Sequence, residues 1–226
     1  MKHSIFKSFL RDLETHKKDQ DLSTEQQYHI TCWKTCQAVF TALDKLEIAK
    51  ECIKHAYKYA PKEHLVPDYI EYHIENYLIR SRSVYDRVLI FTNSLCDIGK
   101  SKEQVKHKLI IGHPKVKSCG LVKLIEAINE ECNTYREVRN GVVHHDKYQN
   151  NELAWVHAAV KAKYILDGEI EKIGITTENI NANIMNIISL HVSDFDKNTM
   201  MINQLISVFL DSANSIYDSH IEQKYK

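Results

Sequence analysis

Turn-forming residues are scarce in this chain. Six glycines and three prolines are spread over 226 residues, too few for a sheet-rich fold with many tight turns, and a strand reading fails almost everywhere because alternating apolar residues are rare. Net charge is absent as well. Thirty Lys and Arg balance thirty Asp and Glu, so no global field draws the protein to nucleic acid or to a membrane surface, and any such attraction has to be local. No apolar stretch approaches the roughly 20 residues that span a bilayer. The opening residues, Met1-Lys2-His3-Ser4-Ile5-Phe6-Lys7, return to charge at once, unlike an export signal. The six cysteines (Cys32, Cys36, Cys52, Cys96, Cys119, Cys132) are scattered and read as reduced, buried thiols of a cytoplasmic protein. Cys32 and Cys36 share a helix face near His29, but no second ligand pair at metal-site spacing follows. Neither a metal nor a cofactor is expected.

What is present is helical periodicity. Hydrophobic residues make up 43% of the chain and charged residues 27%, enough for a sizeable core. Ile5, Phe6, Phe9, Leu10 and Leu13 form one stripe, predicting a helix over 3–18. Ser23-Thr24-Glu25-Gln26 has capping-box spacing and opens a helix to about residue 59. Pro67 opens another, about 67–98, stopped by Gly99. A shorter helix follows Ser101 and fades by Gly112 and Pro114. Residues 118–139 read as one helix that Asn140-Gly141 terminates, since both residues tolerate the left-handed conformation that closes helices. A further helix runs over about 152–168. From Thr177 onward the pattern suits one broken helix or two, with the joint at 193–196. The expected fold is therefore all-α: an antiparallel bundle of about seven helices with long N-terminal ones. It would form one domain over 1–226, with a core at about 67–168 and a helical extension at about 177–226.

Charge is uneven along the chain. Seven lysines against one acid, Glu103, lie between Lys100 and Lys123, and Lys106, Lys108, Lys115 and Lys117 are the candidates for phosphate contact if RNA is the partner. The plainer reading of the same residues, a solvated loop and helix face, is the favoured one. The aromatic residues Tyr28, Trp33, Tyr57, Trp155 and Tyr164 read as core or interface rather than as platforms for stacking bases.

One segment is chemically pointed: Arg139-Asn140-Gly141-Val142-Val143-His144. The Arg-x4-His spacing is weak alone, because Arg11 and His16 share it on a charged amphipathic helix. Context separates the two. With a break at Gly141, Arg139 and His144 would turn toward one phosphate, while Val142 and Val143 would bury and anchor the turn. Arginine stays charged and offers forked donors to phosphate oxygens. Histidine is the residue type that titrates nearest neutrality and serves as general acid or base. His145 points to solvent or to a second subunit. Asp146 orients His144 or caps the next turn. Arg82 and Asp86, with Asn93 beyond them, have approximate helical spacing and could line the cleft or form an internally paired stripe.

The run Tyr135-Arg136-Glu137-Val138-Arg139-Asn140-Gly141-Val142-Val143-His144-His145 resembles the Arg-polar-x-x-x-His signature of the HEPN superfamily, the higher-eukaryote and prokaryote nucleotide-binding fold. The segment Ile79-Arg80-Ser81-Arg82-Ser83-Val84-Tyr85-Asp86-Arg87 is similar to the partner helix of bacterial members with long N-terminal helices. The resemblance implies a dimeric, metal-independent endoribonuclease of a toxin–antitoxin or defence system, with Arg139 and His144 as the catalytic pair, Asn140 as polar support, RNA as substrate and a cognate antitoxin as possible partner. Some toxin members carry Tyr two residues after the His, a site of modification. Here that position is Asp146, and the nearest later tyrosine is Tyr148, which puts such control in doubt. Two other readings compete: a HEPN-like module that binds RNA, a nucleotide or a protein without cutting, and a scaffold in which Arg139 and His144 merely close a helix.

Overall fold

Ser23 and Gln26 start the first long helix as their spacing predicts. Ser23 Oγ accepts from the Gln26 backbone N–H at 3.2 Å, and Gln26 Oε1 accepts from the Ser23 N–H at 2.9 Å, the reciprocal arrangement that satisfies two otherwise unpaired donors. The computed structural model describes residues 3–13, 22–144, 148, 150–166 and 169–225. Among these there are ten α-helices and no strand: α1 (Ile5–Leu13), α2 (Thr24–Lys54), α3 (Ala56–Tyr59), α4 (Val66–Leu95), α5 (His107–Gly112), α6 (Pro114–Ser118), α7 (Val122–Glu131), α8 (Arg136–His144), α9 (Asn151–Ile165) and α10 (Thr177–Tyr225). Short 3-10 turns occupy Glu63–Leu65, Lys102–Gln104 and Glu169–Ile173. The all-α expectation holds. No helix among the described residues is long and apolar enough to cross a membrane.

The chain forms two compact units, each assembled from separated segments: Met1–Asp44, Ser81–Asn133 and Met200–Lys226 in the first, Lys45–Arg80 and Thr134–Thr199 in the second. In the first unit Tyr217 packs edge-on against Phe9 and stacks on Tyr28, while Phe91 meets Phe209 edge-on. In the second, Ile53, Ile70, Ile74, Tyr77, Val156, Ile187 and Phe195 are fully or almost fully buried. Lys50 is buried there too, held by Asp196 at 2.7 Å and Glu47 at 2.9 Å. Burial alone would depress its pKa, but these two carboxylates raise it above an ordinary lysine's.

The helix expected to run to about residue 59 breaks after Lys54 into α2 and α3, and the one expected after Ser101 opens as the turn Lys102–Gln104 before α5. Three further boundaries differ from the sequence pattern. The expected helix over 118–139 is interrupted twice. Gly120, with φ 71°, separates α6 from α7, and a turn separates α7 from α8. At that turn the Cys132 carbonyl accepts from Ser81 Oγ at 3.2 Å, and the Asn133 side chain bonds back to the Asn129 carbonyl at 2.7 Å, the kind of local bond that competes with helix continuation. The second difference is the joint expected at 193–196, which does not exist: α10 is one helix of 49 residues. Its buried positions, Ile184, Ile187, Ile188, Phe195, Asn198, Thr199, Ile202, Ile206 and Phe209, keep helical period straight through the polar pair Ser193-Asp194, and no Gly or Pro intervenes. The third concerns Gly141 and belongs to the site.

Candidate functional site

Helix α8 carries the Arg-x4-His motif, and its flanks explain its position. Tyr135, just before it, donates its hydroxyl to Asp194 Oδ2 of α10 at 2.7 Å and packs edge-on against Phe195 and Tyr77, with ring centroids 5.6 and 6.2 Å apart. On the far side, the Tyr148 N–H donates to Glu75 Oε1 of α4 at 2.7 Å. His191 Nδ1 lies 2.8 Å from the Ile187 carbonyl, so Nδ1 carries the proton and Nε2 accepts from the Tyr148 hydroxyl at 3.0 Å. Burial holds the Tyr148 hydroxyl above the usual tyrosine pKa, which keeps it a donor. Asn150 then caps α9 by accepting from the Leu153 N–H at 2.9 Å.

Between these anchors α8 buries none of its residues. Val142 is only half-buried and Val143 is 56% exposed, so the expectation that the two valines anchor the segment is overturned; Tyr135 and Tyr148 do so instead. Gly141 does not end the helix either. It lies inside α8 and is absent from the positive-φ glycines among the described residues, Gly99, Gly120 and Gly174. A Cβ built at Gly141 meets nothing within 4 Å. Gly141→Ala should therefore stabilise the protein by about 0.5–1 kcal/mol, the difference in helix propensity, measured by urea unfolding. A loss of stability would restore the broken-helix reading.

The helical motif changes the geometry available to the pair. Arg139 and His144 lie about 140° apart around the axis and about 7.5 Å apart along it. Arg139 is partly buried and donates from Nη2 to Asn140 Oδ1 at 3.0 Å. His144 occupies the last turn and is exposed. His145 and Asp146 lie outside the described residues, as does His16 of the second Arg-x4-His match.

The other candidates belong to the first unit. Arg82 pairs with Asp86 at 3.3 Å, donates to Asn129 Oδ1 at 2.9 Å and lies over the Tyr85 ring at 4.6 Å. Asn93 spends its amide on both backbone groups of Lys100, at 3.0 and 3.1 Å. Lys106, Lys108, Lys115 and Lys117 are all exposed, and Lys115 reaches the Asp97 carbonyl at 2.5 Å, closing the turn where Asp97 takes a positive φ of 45°. Cys32 and Cys36 are buried thiols whose pKa values burial pushes up, that of Cys36 to about 12. His29 turns instead to the Tyr217 hydroxyl. Among the described residues no group of three or more His, Cys, Asp or Glu is placed to hold a metal ion.

A family model, HEPN_Cthe2314-like HEPN, matches residues 36–214, well over half of the chain and the whole of the motif helix. The chain belongs to the HEPN superfamily. No curated protein and no solved structure matches it. The Arg139–His144 spacing of this HEPN chain lies within one short segment, whereas the residues that hold α8, Glu75, Tyr135, Tyr148, His191 and Asp194, are spread along the chain. Tyr135 and Asp194 are separated by 59 positions, and no local pattern links residues so far apart.

Proposed function

We propose that the protein is an endoribonuclease that acts as a homodimer in a toxin or defence role in the cytoplasm. The observation that carries this reading is the intact Arg139/His144 pair, with Asn140 bound to Arg139, on a helix of a HEPN chain that buries none of its own residues. RNA supplies its own nucleophile, the 2′-hydroxyl next to each phosphorus, so the reaction needs no metal-activated water. It needs removal of that proton, a counter-charge for the pentavalent phosphate, and a proton for the departing 5′-oxygen. Histidine can serve both proton transfers. Arg139 supplies the counter-charge through its forked donors. Lys106, Lys108, Lys115 and Lys117 supply phosphate contacts that position the strand without reading its bases.

The straight α8 is the reason for a dimer. Two side chains diverging by about 140° on one helix serve a single phosphate poorly, and one chain offers one motif histidine where acid and base are both required. Two α8 helices related by a two-fold axis would place one chain's Arg139 beside the other's His144 and supply both histidines. Multi-angle light scattering at micromolar concentration should give twice the 26.3 kDa chain mass, with at least about 1,000 Å² buried between copies. A strict monomer would contradict the composite site.

The second reading, a HEPN module that holds RNA, a nucleotide or a protein such as a cognate antitoxin without cutting, draws on the same exposed helix. Induced expression separates the two. Wild type should arrest growth and degrade cellular RNA, and His144→Ala should do neither. Equal effects of both proteins would favour binding over cleavage.

A further inference from the structure

The second unit holds a cavity of about 460 Å³ whose lining includes no motif residue. Its floor is apolar: Val160 of α9 and Ile180 and Ile184 of α10, all buried. Its walls are rings. His64, from the 3-10 turn Glu63–Leu65, and Tyr164, in the last turn of α9, lie with centroids 4.3 Å apart at 33°, and Tyr57 of α3 also lines the cavity. Tyr57 and Tyr164, which the sequence pattern assigns to core or interface, are 44% and 67% exposed. Tyrosine rings left so open beside an apolar floor are suited to covering a flat ligand.

The polar groups narrow the ligand. The Tyr57 hydroxyl donates to Asn181 Oδ1 at 3.0 Å, and burial, reinforced by the Glu63 carboxylate, keeps that hydroxyl protonated by raising its pKa. Asn181 then offers its amide N–H₂ and Tyr57 its hydroxyl oxygen, a donor beside an acceptor, which complements the acceptor-beside-donor edge of a nucleobase. Lys163 lies at the cavity with its ammonium 3.4 Å from Glu63, whose side chain is 78% exposed. That loose pair can open at little cost, since Glu63 turns into water, and it frees a cation for an anionic group on the ligand. The same cation disfavours a positively charged ligand.

We propose that this cavity binds a planar heteroaromatic ring carrying an anionic group, the chemistry of a nucleoside monophosphate. The ring lies on the Val160–Ile180–Ile184 floor against Tyr164, its edge meets Asn181 and Tyr57, and its phosphate meets Lys163. The volume falls within the range of small-molecule sites. The ligand is either a free mononucleotide or one nucleotide of a strand, and neither depends on cleavage at α8.

Isothermal titration of the full-length His144→Ala protein tests this, because the variant removes the proposed cleavage and leaves the cavity intact. The probes are the four 5′-nucleoside monophosphates, adenosine, ribose 5-phosphate and a single-stranded RNA hexamer. At least one monophosphate should bind once per chain, with ribose 5-phosphate weaker by about tenfold or more, the loss expected when a stacked base is removed. Tyr164→Ala in the same background should weaken the monophosphate by a similar factor. Lys163→Gln should weaken it while leaving adenosine unchanged, which separates a lost contact from lost folding. Binding of the hexamer alone, weakened by Tyr164→Ala, would identify the ligand as a base within a strand. Absence of binding by every probe, or binding that neither variant alters, would overturn the proposal.

Discussion

Arg139→Ala and His144→Ala should each remove nearly all RNA cleavage, by about 10²–10⁴-fold for the proton-transfer group. Neither change should disturb the fold, because α8 buries none of its residues and is held by Tyr135 and Tyr148 outside the motif. Arg139 is partly buried and donates to Asn140, and truncating it should remove the charge opposite the phosphate. The proposed mechanism has both side chains acting on one transition state, so the double variant should be scarcely slower than either single one. Additive losses would mean that the two residues act in separate steps or separate roles. Arg11→Ala shares the spacing but not the context and should retain wild-type rates. These rates are to be measured on purified protein with a labelled single-stranded RNA under single-turnover conditions.

Phe195→Ala should cost about 3–5 kcal/mol, the usual range for emptying a packed aromatic site. Phe195 is 2% exposed, lies parallel to Tyr77 with ring centroids 3.8 Å apart, and also meets Tyr135 and His191 edge-on. The Tyr77 hydroxyl is in turn shared among the Phe195 carbonyl, Asn198 Oδ1 and Thr199 Oγ1 at 3.1, 2.9 and 2.8 Å. Truncation thus empties a ring-sized space and loosens the seat of Tyr135, the residue just before α8. In a chain of this length the fall in Tm should be on the order of 10 °C. Cleavage below the new transition should drop as well, because Tyr135 loses one of its ring contacts. A loss of stability under about 1 kcal/mol, well short of the usual cost of such a truncation, would show that the cluster does not hold this part of the chain.

Helical class was legible because it depends on what the chain avoids: glycine, proline and alternating patterns. Starts were legible where one residue type solves a local problem, as Ser23 and Gln26 do at α2. Stops were harder. Asn140-Gly141 carries the composition of a helix end, yet it lies inside α8, which runs on to His144. The reverse holds at α4, where Asp97 takes the positive φ as well as the expected Gly99. At 193–196 the polar residues suggested a joint, but Phe195 carries the buried stripe across it. The family was readable because the resemblance rests on contiguous residues. The pinning of α8 by α4 and α10 was not, nor was the ring-lined cavity, whose walls come from positions 57, 64 and 164.

The central claim is that this HEPN chain cuts RNA with Arg139 and His144 through the RNA's own 2′-hydroxyl. The measurement that reaches it most directly is product-end analysis of RNA incubated with purified wild type and His144→Ala in excess EDTA. The account predicts fragments ending in 2′,3′-cyclic phosphate and 5′-hydroxyl from the wild type, undiminished by EDTA and missing with His144→Ala. Fragments ending in 5′-phosphate, cleavage abolished by EDTA, or equal cutting by the two proteins would contradict it.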